Sequence, residues 1–265
     1  MQTETMKRHY IILLLALMTI SVVACQPVAN EKQAAAVEDH TELACPAYAD
    51  SEHVLVYQGF VSCYNHQTLV PDWVAYELTA EELEGTYNST SNFSRDPHLQ
   101  GRQASREDYS RSGWDKGHMT PKADLKWSEK AWWESHYFTN ICPQNHQLNG
   151  GSWNTLERQV RRWAQRYGRI YVVTGPIFTD CAFGTIGDAG VAVPDAFFKA
   201  LLVPCGEGYS AIAYVMANTD EKQSLRSCAM TVDDLELLLG RDLFPLLDDA
   251  VEEQVESTID HQIWR

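Results

Sequence analysis

The chain has 265 residues, 45% hydrophobic and 22% charged, with a formal net charge of −15. This composition supplies one sizeable core or at most two small ones, and it excludes intrinsic disorder, collagen and coiled coil as the dominant state. Taken whole, the charge speaks against a polyanionic partner. Taken by segment it does not. Residues 1–90 hold 3 Lys/Arg against 12 Asp/Glu (−9) and residues 171–265 hold 5 against 16 (−11), but residues 91–170 hold 13 against 8 (+5). A local basic patch can hold phosphate on an acidic protein, because screening limits the reach of distant charge to about 8–10 Å.

At the N-terminus, Lys7 and Arg8 precede the apolar run YIILLLALMTISVVA, which stops at Cys25. At about 15 residues the run falls short of the ~20 that a membrane span needs, and it suits the apolar core of a secretory signal. Val22-Val23-Ala24-Cys25 resembles a bacterial lipobox, so residues 1–25 are expected to form a lipoprotein signal with Cys25 as the lipidation site. A plain signal peptide cut near Ala24 is the blander reading. Gln26 follows the cysteine, so the usual acidic inner-membrane retention signal is missing. The expected location is the outer membrane, facing the periplasm or the cell surface. Residues 26–44 lack aromatics and steady periodicity and read as a flexible tether. The folded domain is expected over 45–265. Apart from Cys25, six cysteines remain: Cys45, Cys63, Cys142, Cys181, Cys205 and Cys228. An even number in an exported chain favours disulfides, with Cys45–Cys63 the preferred pair. A zinc site is weakly supported, since no two have C-x2–4-C spacing.

HVLVYQGF (53–60) and DWVAYEL (72–78) read as strands, rich in β-branched and aromatic residues between turn signals. Residues 85–113 are polar and read as a long surface loop. SEKAWWES (128–135) suits a short helix capped by Ser128, and HYFTNI (136–141) a strand. Trp153, Leu156, Val160, Trp163 and Tyr167 recur at steps of three and four, which predicts one apolar helix face ending at Gly168. Trp153 is assigned to the core. Arg158, Arg161, Arg162 and Arg166 fall mostly on the other side. RIYVVTG (169–175), FFKALLV (197–203) and YSAIAYVM (209–216) predict further strands. Thr231 and Gly240 bracket a predicted helix as N-cap and C-terminal stop. The chain reads as α+β, in one domain.

The chemistry concentrates in three blocks: DKGHMTPKAD (115–124), TNICPQ (139–144) and NGGSWNTLE (149–157). Their order and spacing resemble the DNA/RNA non-specific endonucleases of the ββα-metal, or His-Me finger, class, whose pattern runs D-R-G-H, N-x-x-P-Q, N-x-x-x-W-x-x-L-E. VPDWVAYEL, NFSRDPHL, VPDAFFKALLV and TVDDLELLLGRDLFP extend the likeness across about residues 45–250. The resemblance implies a ββα-metal nuclease fold, with a central mixed or antiparallel sheet flanked by helices. It implies His118 as general base and Asn149 as the direct protein ligand of one Mg2+, with Mn2+ able to take its place. By the same resemblance Glu157 orients the metal's water shell, and Asn140 holds the histidine or the scissile region. Lys116 stands where the family has Arg, and Ser91 stands where it often has another; Arg95 nearby is the candidate substitute for binding substrate. The implied substrates are DNA and RNA. The implied membrane contact is the lipid at Cys25.

The residue types suit that reaction. Phosphodiester hydrolysis needs a proton acceptor for water, and histidine is poised for this near neutral pH. Mg2+ binds few protein groups and keeps several waters, so one amide oxygen is enough of an anchor. On an unbroken α-helix Asn149 and Glu157 would stand about 80° apart in projection and ~12 Å apart along the axis. That separation favours contact through water or an arginine. Two alternatives stand beside this reading: a catalytically weak nucleic-acid-binding envelope lipoprotein, and a structural envelope lipoprotein. Neither accounts for the three ordered blocks together with an intact His118 and Asn149.

Overall fold

The computed structural model describes residues 41–265; the signal, Cys25 and most of the tether fall outside the described residues. Thr41–Ala44 is not tether: it forms a turn of 3-10 helix that buries Ala44. The strands are β1 (His53–Val56), β2 (Val61–Asn65), β3 (Val70–Thr79), β4 (Asp115–His118), β5 (Ile141–Gln144), β6 (Arg169–Ile177), β7 (Thr185–Ile186), β8 (Val191–Ala192), β9 (Ala196–Cys205), β10 (Gly208–Ala217) and β11 (Ala229–Met230). The helices are α1 (Arg106–Tyr109), α2 (Glu129–Glu134), α3 (Asn154–Tyr167), α4 (Leu225–Cys228), α5 (Val232–Leu239) and α6 (Asp249–Glu256). Among the described residues, no helix is long and apolar enough to cross a membrane.

Seven strands make one sheet in the order β1-β2-β3-β6-β9-β10-β11, and every pairing within it is antiparallel. Its strands read as nearly continuous apolar runs because both faces are covered. Side chains alternate across a strand. Val74, Tyr76, Val172, Leu201 and Ile212 therefore pack in one core with Leu156, Val160 and Trp163 of α3. Their sequence neighbours Trp73, Ala75, Val173, Leu202 and Ala213 pack in a second core with Val232 and Leu235 of α5 and Val255 of α6. Full burial of each large apolar side chain is worth about 1.5–3 kcal/mol, so these two layers account for the sheet's central position.

The predicted helix face is present: Trp153, Leu156, Val160 and Trp163 are buried, and α3 ends at Gly168 with φ +83°. Ser128 caps α2 by accepting the Ala131 N–H, and Thr231 caps α5 by accepting that of Asp234. Elsewhere the structure corrects the sequence reading. Only residues 53–56 of the first predicted strand are extended; the chain then turns, with Tyr57 N–H bonded to Phe60 O, and returns as β2. Residues 85–113 are more than a surface loop. Asp96, Leu99, Gln103, Ala104 and Tyr109 are buried, and Asp108 closes a capping box on Ser105. Tyr57 donates to Asp96 across this segment. Residues 138–140 form a 3-10 turn, and the strand runs over 141–144. Among the described residues, none of Cys45, Cys63, Cys142, Cys181, Cys205 and Cys228 forms a disulfide. Cys45 Sγ donates to Thr41 O (3.6 Å) and Cys63 Sγ to Glu52 Oε1 (3.5 Å), so the two thiols face different partners and the Cys45–Cys63 pair is not formed.

Candidate active site

β4 carries DKGH and pairs antiparallel with β5, with Asp115 opposite Gln144 and His118 opposite Ile141. The hairpin leads into α3, which completes a β-β-α unit. Gly117 is glycine because β5 comes too close for anything larger: an added Cβ would fall 2.7 Å from the Gln144 Cβ. Asn140 is buried and clamps the backbone just after His118. Its Oδ1 accepts the Thr120 N–H (2.9 Å), its Nδ2 donates to Thr120 O and Ser135 O (2.9 Å each), and its backbone carbonyl accepts the Met119 N–H. Asn140 thus fixes where His118 points without touching the ring.

The His118 ring lies 5.3 Å from Phe93 and 5.2 Å from His136, centroid to centroid, and its Nε2 is buried with no partner among the described residues. Burial is the main cause that pushes its pKa down to about 3, with His136 and the ammonium of Lys122 adding to it. His118 is therefore neutral at physiological pH. His136, wholly buried and bonded through Nδ1 to Trp132 O (2.8 Å), is also shifted down, chiefly by burial.

Two lysines supply positive charge here. The Lys116 ammonium lies over the rings of Phe93 (5.5 Å) and Tyr109 (5.6 Å). The Lys122 ammonium donates to Ser91 Oγ (2.7 Å). The cation beside Ser91 is thus Lys122, delivered from the turn after β4. Arg95 lines an open cleft of about 790 Å³ with Arg111, Glu107 and Asp108.

Asn149 joins the same hairpin through Asp115. Its Nδ2 donates to Asp115 Oδ2 (2.9 Å), and His146 Nδ1 lies 2.9 Å from the same oxygen. With the amide nitrogen committed, the Asn149 carbonyl oxygen is left as a hard, neutral donor. That is the chemistry a Mg2+ site asks of its one protein ligand, and the residues present fit the ion. Asn149 sits in a π-helical turn, Leu148–Trp153, ahead of α3. The eight residues to Glu157 therefore cross a wider winding than α-helical counting assumes, and the 80° projection does not hold.

Glu157 is backed by a buried charged group. Lys199, fully buried on β9, lies 4.9 Å over Trp153 and 5.8 Å over Tyr76, and its Nζ has no hydrogen-bond partner among the described residues. Arg161 is bound to buried Asp124 (2.6 Å), which also accepts from Tyr76 (3.3 Å). Arg161 is thus not spent on an i,i+4 pair with Glu157. Burial raises the Glu157 pKa to about 7; Lys199 opposes that rise and Asp124 reinforces it.

The structure thus brings His118, Lys116, Asn140 and Asn149 onto one unit and places Glu157 on its helix. The sequence reading missed Lys122, Asp115, Phe93 and Lys199. Lys199 had a signal, a lone cation inside the apolar run AFFKALLV. Asp115 lay within the quoted block and was given no role.

The fold is that of the ββα-metal nucleases. The sequence profile of the DNA/RNA non-specific endonucleases matches residues 39–250, and the chain belongs to that family. It is 33% identical over 196 residues to bovine (Bos taurus) "Endonuclease G, mitochondrial", covering 69% of this chain and 66% of that one. It is 34% identical over 207 residues to "Nuclease EXOG, mitochondrial" of Danio rerio, covering 72% and 60%. Its structure is similar to one titled "Crystal structure of the EndoG/EndoGI complex: Mechanism of EndoG inhibition", with a TM-score of 0.72 and 27% identity, over 80% of this chain and 92% of that one. The chain spans less than two thirds of the length of those endonuclease G and EXOG relatives.

Proposed function

We propose that this chain is an endonuclease that hydrolyses phosphodiester bonds of DNA and RNA with little base specificity, with His118 as general base and one Mg2+ held by Asn149. The observation that carries it is the juxtaposition on one β-β-α unit of a neutral, clamped histidine, an oriented amide oxygen and two lysines. Lys116 and Lys122 attract the phosphate. His118, neutral at pH 7, accepts a proton from the attacking water. The anionic phosphodiester raises the histidine's affinity for that proton, since a nearby negative charge favours imidazolium. Asn140 holds the base in place, and Asp115 holds Asn149. Glu157 would orient the waters of the bound ion. When bound, Mg2+ neutralises charge on the phosphate and on the leaving oxygen. Contacts of this kind read backbone and not base edges, which supports low specificity.

Incubation of the purified protein with supercoiled plasmid and with RNA tests this. Cleavage of both with Mg2+, abolished by chelator, is expected. Binding without cleavage at any Mg2+ concentration would instead favour the catalytically weak binding protein.

The same proposal places the protein in the envelope by a lipid at Cys25, on the strength of the charged start, the short apolar run and the lipobox-like ending. Stable anchoring takes more than one acyl chain, as a lipoprotein carries. Cys25→Ser should move the protein from the membrane to the soluble fraction. Wild-type protein found wholly soluble would remove the anchor from the reading.

A further inference from the structure

On the face of the sheet opposite α3, the C-terminal helices bring carboxylates together without cations. Asp233 and Glu236 lie one turn apart on α5, Asp242 lies in the loop that follows, and Glu252 and Glu256 lie one turn apart on α6. Oxygens of Asp233, Glu236 and Glu256 all lie within 4.8 Å of one another. The leading neighbouring charges that perturb Glu236, Glu252 and Glu256 are other carboxylates, Asp249 among them for Glu252. The nearest arginine in sequence, Arg241, is committed to Glu52 (2.8 Å).

A second observation sets this cluster apart from an acidic surface. Glu256 is only 2% exposed, its side chain reaches into the cluster, and its Oε1 is buried with no hydrogen-bond partner among the described residues. A buried, unpartnered carboxyl oxygen is costly, and neighbours of like charge add to the cost. A cation would relieve both. Glu236 already has one oxygen engaged with the Leu243 N–H (2.5 Å), which fixes its side chain in place.

We propose that Asp233, Glu236 and Glu256 form a Ca2+ site that ties α5 to α6, separate from the catalytic centre. The donor set is all oxygen, which selects a hard cation over zinc or copper. Oxygens within 4.8 Å of one another can share one ion with bonds of about 2.3–2.6 Å, and calcium's flexible geometry suits three carboxylates plus water better than the near-ideal octahedron that Mg2+ demands. The ion completes its coordination with water at exposed Asp233. The site's role is structural: it holds the C-terminal helices, and through Val232, Leu235 and Val255 the second core, against the sheet.

The test is thermal unfolding and titration calorimetry of the full chain, stripped of metal, with CaCl2 as the probe. Saturation to about 100-fold over Kd should raise the midpoint by about 5–10 °C. Glu256→Gln should abolish that shift while leaving plasmid cleavage in Mg2+ unchanged. Asn149→Ala should keep the shift, which separates this site from the proposed catalytic one. Two results would overturn the proposal: no Ca2+ shift in the wild type, or an equal shift in Glu256→Gln. In the first case, a Glu256→Gln protein more stable than wild type at pH 9 would assign the cluster's balance to a retained proton.

Discussion

Two clusters on opposite faces of the central sheet crowd opposite kinds of charge. On the α3 face, two histidines and Lys122 crowd together, and burial with like charge drives His118 down to about 3. On the α5–α6 face, carboxylates crowd together, and the same two causes drive Glu236 up to about 7 and Glu256 up to about 9. In each place burial favours the neutral form and like neighbours reinforce it. The comparison teaches that a fold can leave each site short of one ligand of opposite sign. The first is short of an anion, which the proposed substrate supplies. The second is short of a cation.

The largest effect belongs to the first face. His118→Ala should lower plasmid nicking by about 10²–10⁴-fold, as loss of a general base does, with nucleic-acid binding retained. Near-wild-type nicking would move the base elsewhere. Next, Asn149→Ala and Asp115→Asn should each raise the Mg2+ needed for half-maximal activity, the second by about 10–100-fold, since Asp115 orients the ligand. Glu157→Gln should do so less than Asn149→Ala. A metal titration with Asn149→Ala unchanged would leave the ion without its proposed anchor.

Stability should respond to pH with opposite sign on the two faces. A histidine whose folded pKa is depressed contributes stability that is present above its unfolded value of 6.5 and is lost as pH falls toward about 3. A carboxyl raised to about 9 contributes stability that is present below 4.5 and is lost as pH rises through 9. Urea unfolding of metal-free protein should therefore show Glu256→Gln gaining on wild type between pH 6 and 9, and His118→Gln gaining on it between pH 6 and 4. Parallel curves would mean that the charges on both faces are already compensated.

The smallest effects are electrostatic. Lys122→Ala should weaken binding to DNA of any sequence and reduce the slope of log K against log salt by about 0.9, one phosphate contact. At fixed Mg2+, activity should peak at moderate salt, because added ions weaken lysine–phosphate contacts but also screen the acidic regions. A strictly monotonic decline from about 10 to 500 mM NaCl would show that the acidic face plays no part in substrate approach.

What the sequence determined by itself was local or ordered along the chain. The α3 stripe, the caps at Ser128 and Thr231 and the stop at Gly168 follow from periodicity and from the hydrogen-bonding needs of helix ends, which act within a few residues. The blocks around His118, Asn140 and Asn149 were legible because the site is built from one continuous hairpin and helix. Tertiary structure decided what depends on partners far apart in the chain. The fifth strand lies at 141–144, and not 136–141, because its register is set by β4, 26 residues before it. Lys122, not Arg95, stands beside Ser91 because the turn after β4 folds back on the loop at 91–93. Cys45 and Cys63 stay apart because each thiol meets a different oxygen. Glu157 meets Lys199, and Asp233 meets Glu256, only because the sheet sets helices against its two faces. Periodicity selects which side of an element is buried; it does not say which charged groups that burial will bring together.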